Sequence, residues 1–247
     1  MPIFGRHRVV EPSEDERRSA EVDLERIRQG GIPLGAEERL KRIATASTPF
    51  FTSDLTSKEY ALALASGLQP IAQVMGSSVV KHGWSNYGWA GLGWGVQELP
   101  SFAEPWNLAR SRAFDRLDRE ARFAGADGVI GIDMTAAGTL GEPDNVEYVV
   151  FGTAVRDTAV TRPDPAGVAM CALSGQDVDK LRRIGAEVIG VIGHTSVVCV
   201  ALDPGSNYIM NTSGWWGAGA TNCEIPQITQ GVYAARQLAF AEVHRQA

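Results

Sequence analysis

The chain has 247 residues, 44% of them hydrophobic and 21% charged, an ordinary globular composition with room for one large domain or two small ones. A net charge of −6 and a pI of about 5.3 argue against nucleic acid as the main partner, and no basic run interleaved with aromatics offsets that balance. Three cysteines, Cys171, Cys199 and Cys223, form no CxxC pair and suit a reducing compartment better than a disulfide framework.

No signal peptide is visible at the N-terminus, and no run reaches the roughly 18 apolar residues that a membrane span needs. The expectation is a cytoplasmic protein without an integral membrane segment. Residues 1–48 read as a helical hairpin. From Glu14 to Gln29 charges alternate in sign around one narrow apolar stripe of Ala20, Leu24 and Ile27. Gly30 and Gly31 end that helix, and a second, Ala36 to Ile43, follows. The hairpin is either a solvated appendage packed on its own domain or a docking arm for another chain.

Pro49 to Ser53 reads as a strand. Asp54 or Thr56 can cap the short helix that begins at Ser57 and closes at Gly67. Leu68 to Val80 is a long, largely buried strand. A Gly/Trp segment, His82 to Gly95, carries Trp84, Tyr87, Trp89 and Trp94. Phe102 to Phe123 is an amphipathic helix with Leu108, Phe114 and Leu117 on its apolar face. Its arginines and acids, Arg116 and Glu120 among them, read as solvated flanks. Val129–Met134 and Val146–Val155 are two strands, joined by a loop rich in Gly, Pro and Asp.

After a linker at 157–167, residues 168–247 repeat much of this pattern. Leu55–Val80 aligns with Leu173–Val198 without a gap, at a shift of 118 residues. Glu98–Ala121 aligns with Glu224–Ala247 at a shift of 126. Ala109/Ala235, Arg110/Arg236, Ala113/Ala239, Phe114/Phe240 and Arg119/Arg245 are identical pairs. The second copy is expected to hold a long strand over Glu187–Leu202, a Gly/Trp segment over Ser206–Gly219 and a long helix over Ile228–Ala247. It has no counterpart of Gly125–Val155. Either a longer protein has been clipped, or the gap is filled by another copy or left as a docking edge. An internal repeat of this kind sets the architecture.

Leu55-Thr-Ser-Lys-Glu, Ile71 to Val80, Glu98-Leu-Pro, and Ala113 to Ala121 running into Gly125-Ala-Asp-Gly-Val-Ile-Gly-Ile, closed by Gly152-Thr-Ala-Val155, resemble the YbjQ-like family. The resemblance covers residues 49–156 once and residues 168–247 a second time. It implies an α+β fold: two tandem units, each an antiparallel sheet with one long helix across it. It also implies a ring-shaped homo-oligomer, usually a pentamer, and no settled biochemical activity. The family is named for heavy-metal binding, yet no ligand motif accompanies that name here. Its members typically carry a charged, arginine-containing loop after the long strand, where this chain has the Trp/Gly segment.

A thiolate or imidazole site needs three or four ligands converging on the ion. His194, Cys199 and Cys223 are the metal candidates, with a divalent or heavy metal as the implied ligand. His194 and Cys199 are five residues apart, so a regular strand turns them to opposite faces. One ion could then be shared only between subunits. No G-x-S-x-G elbow, Walker motif or complete dinucleotide fingerprint is present. Ser85-Asn-Tyr87 recurs as Ser206-Asn-Tyr208, and Trp94-Gly95 as Trp216-Gly217. Trp supplies large contact area and Gly lets backbones approach closely. Trp84, Tyr87, Trp89, Trp94, Tyr208, Trp215 and Trp216 are therefore candidates for partner or ligand binding; the plainer reading packs them over the sheet or between subunits. The expectation is a non-enzymatic, ring-forming scaffold or binding module. The alternative is a small-ligand or metal-binding oligomer with sites at subunit interfaces.

Overall fold

The structure, a computed structural model, describes residues 13–46, 52–81, 95–138, 145–158, 168–186, 188–211 and 224–247. Two helices, α1 (Glu14–Arg28) and α2 (Leu34–Thr45), lead into α3 (Ser57–Ala65) and the long strand β1 (Leu68–Lys81). A short strand, β2 (Val96–Glu98), precedes the long helix α4 (Pro100–Phe123). β3 (Gly128–Gly138) and β4 (Asn145–Asp157) follow. The C-terminal part holds β5 (Ala169–Met170), α5 (Gly175–Arg183), β6 (Val198–Val200), α6 (Pro204–Asn211) and α7 (Pro226–Gln246).

The main sheet runs β1-β4-β3-β5. β1 and β3 flank β4 in antiparallel register, and β5 adds to β3 in parallel. α4 lies across the sheet because Ala109, Ala113, Leu117 and Ala121 recur at helical spacing and are all fully buried. Gly76 permits the contact at its closest point: a Cβ there would stand 1.9 Å from the Ala113 carbonyl oxygen. Leu108 departs from the expected apolar face and is 39% exposed.

Local signals explain the helix ends. Thr56 and Glu59 form a capping box on α3, each serving the other's backbone N–H. Ser174 caps α5 by accepting the Asp177 amide hydrogen. Gly30, Gly67, Gly125 and Gly185 stand just beyond α1, α3, α4 and α5 with φ between 70° and 80°.

The N-terminal hairpin packs on the sheet unit of its own chain, although α1 itself buries no residue. Leu40 and Ile32 are buried in the same core cluster as Val74, Leu117 and Val150. Arg116 of α4 fastens it, donating from Nη2 to the Ile27 carbonyl and from Nε to the Gly31 carbonyl, both at 3.2 Å. Its Nη1 donates to the Ser77 carbonyl on the outer edge of β1. Glu120, one turn on, accepts the Met75 amide hydrogen on the same edge at 2.9 Å. Thr52 Oγ1 accepts the Gln73 amide hydrogen at 3.3 Å. The expectation that Arg116 and Glu120 sit on solvated flanks is thus corrected. They occupy the positions a further strand would take.

Residues 168–247 diverge from the expected pattern. The long strand foreseen over Glu187–Leu202 is paired as a strand only at Val198–Val200, because a strand exists only where a ladder partner exists. The helix α6 over Pro204–Asn211 was not foreseen. The long helix foreseen over Ile228–Ala247 appears as α7, and a two-residue strand β5 and a short helix α5 precede it. The nine-residue helices α3 and α5 pack on each other. Ser66 Oγ donates to Asp179 Oδ1 at 2.8 Å, and Arg182 Nη1 donates to the Ser66 carbonyl at 3.0 Å. Ala63, Leu68, Ile130, Val155, Cys171 and Val178 form the buried cluster between the two parts.

Candidate functional site

The metal candidates that the structure describes, His194 and Cys199, lie on one stretch of backbone, residues 188–200, held between α4 and α7. It runs from Val188 to Val197 without turn or bend and ends in β6, which pairs antiparallel with β2. Asn107 of α4 holds its middle: Oδ1 accepts the Thr195 amide hydrogen and Nδ2 donates to the Thr195 carbonyl, both at 2.9 Å. The Leu99 amide donates to the Val197 carbonyl at 2.8 Å, and the Ala201 amide to the Gly95 carbonyl at 2.9 Å. On the other face, Ser196 Oγ donates to the Ala235 carbonyl of α7. Gly231 lets α7 close on Val200, where a Cβ would come within 2.3 Å of the Val200 side chain.

His194 is half-buried, at the place where the first copy has Gly76. It lies close enough to Glu242 of α7 to help hold that carboxyl ionised. The Arg245 guanidinium holds that carboxyl down at about 2, with smaller help from Gln246 and His194. Cys199 is half-buried in β6, opposite Gln97 of β2, and so is less enclosed than a core thiol. Cys171 is the buried thiol; burial pushes it up, and its sulfur accepts the Leu173 amide hydrogen at 3.4 Å. A buried thiol held protonated is a poor nucleophile and a poor metal ligand.

Among the described residues no group of three His, Cys, Asp or Glu side chains could hold a metal ion. His194 and Cys199 therefore do not fit a heavy-metal centre within the described part of one chain. Cys223 lies outside the described residues, as do Trp84, Tyr87, Trp89, Trp94, Trp215 and Trp216. Tyr208 lies on α6, with its side chain outside the described part. Ser196 spends its hydroxyl on the Ala235 carbonyl and Ser78 is 3% exposed, so neither is presented as a nucleophile.

Two surfaces stand out that the sequence did not flag. The sheet face turned away from α4 carries Met75 and Val79, 48% and 50% exposed, opposite Phe151 and Glu147 of β4, both half-buried. On α7, Val232 is 64% exposed and Tyr233 61%. Arg110 adds an unpaired donor beside residue 193: its buried Nε–H has no hydrogen-bond partner among the described residues. No described helix is long and apolar enough to cross a membrane.

The frame that carries these residues is an α+β unit, a sheet crossed by the long helix α4. Residues 71–158 match the YbjQ family, described as "Putative heavy-metal-binding". The chain carries a YbjQ-family domain and belongs to the same family as an encapsulin nanocompartment protein, Rv1762c of Mycobacterium tuberculosis. The two are 34% identical over 217 residues, 86% of this chain and 76% of that protein. A UPF0145 protein of Methanococcus vannielii is 36% identical over 58 residues, 24% of this chain and 53% of that one. The chain therefore spans about half the length of this second relative.

Proposed function

We propose that this protein is a non-enzymatic, ring-forming oligomer that serves as a scaffold or binding module of an encapsulin-type nanocompartment. One observation carries the reading: the likeness to the encapsulin nanocompartment protein extends over most of both chains and reaches well past the YbjQ match at 71–158. On this reading the protein is cytoplasmic. The Trp/Gly segments with Trp84, Tyr87, Trp89, Trp94, Tyr208, Trp215 and Trp216 supply contacts to a protein partner or between subunits. The tandem arrangement, units 49–156 and 168–247, gives each chain two places in the ring.

Co-expression with the encapsulin shell protein of the same genome tests this. The reading expects the chain to sediment with intact particles and to resist protease until they are opened. A chain that stays wholly in the soluble fraction and is digested at once overturns the nanocompartment assignment.

The family's description favours a second reading, a metal-binding oligomer with sites shared between subunits. It requires stoichiometric metal in the purified protein by elemental analysis, lost in His194→Ala or Cys223→Ala. A metal-free oligomer that takes up none on titration removes it.

A further inference from the structure

The stretch 188–200 has two backbone edges, and one of them is taken up within the chain. Thr195 turns both its N–H and its C=O to Asn107 of α4. On the same side the Val197 carbonyl accepts from the Leu99 amide, and the Ala201 amide donates to the Gly95 carbonyl. Cys199 faces Gln97 of β2 between them. Backbone groups alternate between the two edges of an extended chain, so those of His194, Ser196, Val198 and Val200 point the other way. Among the described residues no hydrogen bond reaches that second edge.

The first part of the chain shows what such an edge holds. At the shift of 118, Ile192, His194, Ser196 and Val198 correspond to Val74, Gly76, Ser78 and Val80 of β1. The outer edge of β1, at Gln73, Met75 and Ser77, is covered by Thr52, Glu120 and Arg116. The edge at Thr195–Ala201 is its counterpart and is covered by Asn107, Leu99 and β2. The inner edge of β1 carries β4, antiparallel, with Gly152, Val150, Tyr148 and Val146 opposite those four residues. The helices agree with this match. Gly76 faces Ala113 of α4, and Ser196 Oγ reaches the carbonyl of Ala235 on α7, the counterpart of Ala109. An extended stretch backed by a long helix thus occurs twice, and the described residues supply its inner neighbour strand once. Ile192, which shares the α7 side with Ser196, is left 46% exposed.

We infer that the open edge of residues 192–200 takes up a β-strand of a partner protein, antiparallel, in the place that β4 has on β1. An unpaired edge is a template for such pairing. The partner strand carries apolar side chains at alternate positions, as β4 does at Val146, Tyr148 and Val150, because those are the ones turned to the helix side and packed there. Backbone hydrogen bonds supply the affinity, and the alternate side chains supply the selectivity.

A fluorescein-labelled peptide of the β4 sequence, residues 145–157, is the probe, titrated into the full chain with polarisation as the readout. In the sheet, Tyr148, Val150 and Gly152 turn their backbone to β1, and Glu147, Val149 and Phe151 turn theirs to β3. Saturable binding is expected. It is kept when Glu147, Val149 and Phe151 of the peptide are N-methylated, and weakened about tenfold or more when Tyr148, Val150 and Gly152 are. His194→Pro removes a donor from the open edge and none from the Asn107 edge. It is expected to weaken binding likewise, while the circular dichroism stays that of wild type. Equal effects of the two methylation patterns overturn the inference, and so does a chain that binds no peptide. If no peptide binds but His194→Pro breaks up a wild-type oligomer, the edge belongs to a second copy and the partner strand is ruled out. The titration involves no shell protein, so its failure and that of the nanocompartment reading are told apart.

Discussion

Glu120 reaches from α4 across the outer edge of β1 and accepts the Met75 amide hydrogen at 2.9 Å, although its side chain is only 6% exposed. Burial pushes its carboxyl pKa up, opposed by that hydrogen bond and by Arg39. A raised carboxyl pKa means that the folded protein holds the proton more tightly than the unfolded chain does. The stabilisation it gives is complete below the ordinary value of 4.5 and is lost as pH rises through the folded value. Glu120→Gln keeps an acceptor for Met75 and carries no charge. Its urea midpoint is expected to match wild type near pH 4 and to gain on it toward pH 8. Glu120→Ala strands the Met75 N–H and is expected to lose about 1–3 kcal/mol.

Gly76 is the point where α4 and β1 meet most closely, with backbone and not a flexible side chain as the neighbour. Gly76→Ala cannot be absorbed by a rotamer change. The expected loss is about 3 kcal/mol or more, at the upper end for overpacking, measured by chemical denaturation. His194→Ala, at the same place in the repeat, is expected to change stability far less, because that site already holds a large side chain.

Leu40 is fully buried although it belongs to the N-terminal hairpin. Leu40→Ala is expected to lower global stability by about 2–5 kcal/mol in a single transition. A change confined to local melting of α2 would mean that the hairpin is energetically separate from the sheet.

Asn107 supplies both hydrogen bonds to Thr195. Asn107→Ala is expected to speed amide exchange over residues 195–200 by one to two decades, about 1–3 kcal/mol for the lost and stranded groups. Protection in β1, β3 and β4 should stay as in wild type, since those ladders do not use Asn107.

The sheet and its helix were legible because their signals are local. Alternation marks β1 and β4, helical spacing of small residues marks α4, and Thr-x-x-Glu marks the start of α3. Arg116 and Glu120 were not legible. Their charges look like any solvated flank, and only the fold shows that they face the edge of β1. The apolar run before Leu202 misled for the converse reason. Val188–Leu202 has strand composition, but strand pairing depends on a partner that composition does not reveal. Of the candidate site, His194 and Cys199 were expected on opposite faces of one strand, but His194 lies outside the ladder that holds Cys199. The weight carried by Asn107 had no signal, because one asparagine on a helix resembles any other.

The buried cluster joining the two parts also sets an order of events during synthesis. When Asp157 leaves the ribosome, four of the six buried members are present: Ala63, Leu68, Ile130 and Val155. Cys171 and Val178 arrive later, with β5 and α5. Until then the nascent chain holds a sheet with one apolar end uncovered and the outer edge of β3 unpaired, the kind of surface that recruits chaperones or neighbouring nascent chains. The half-made protein therefore has this apolar end bare until the second part emerges.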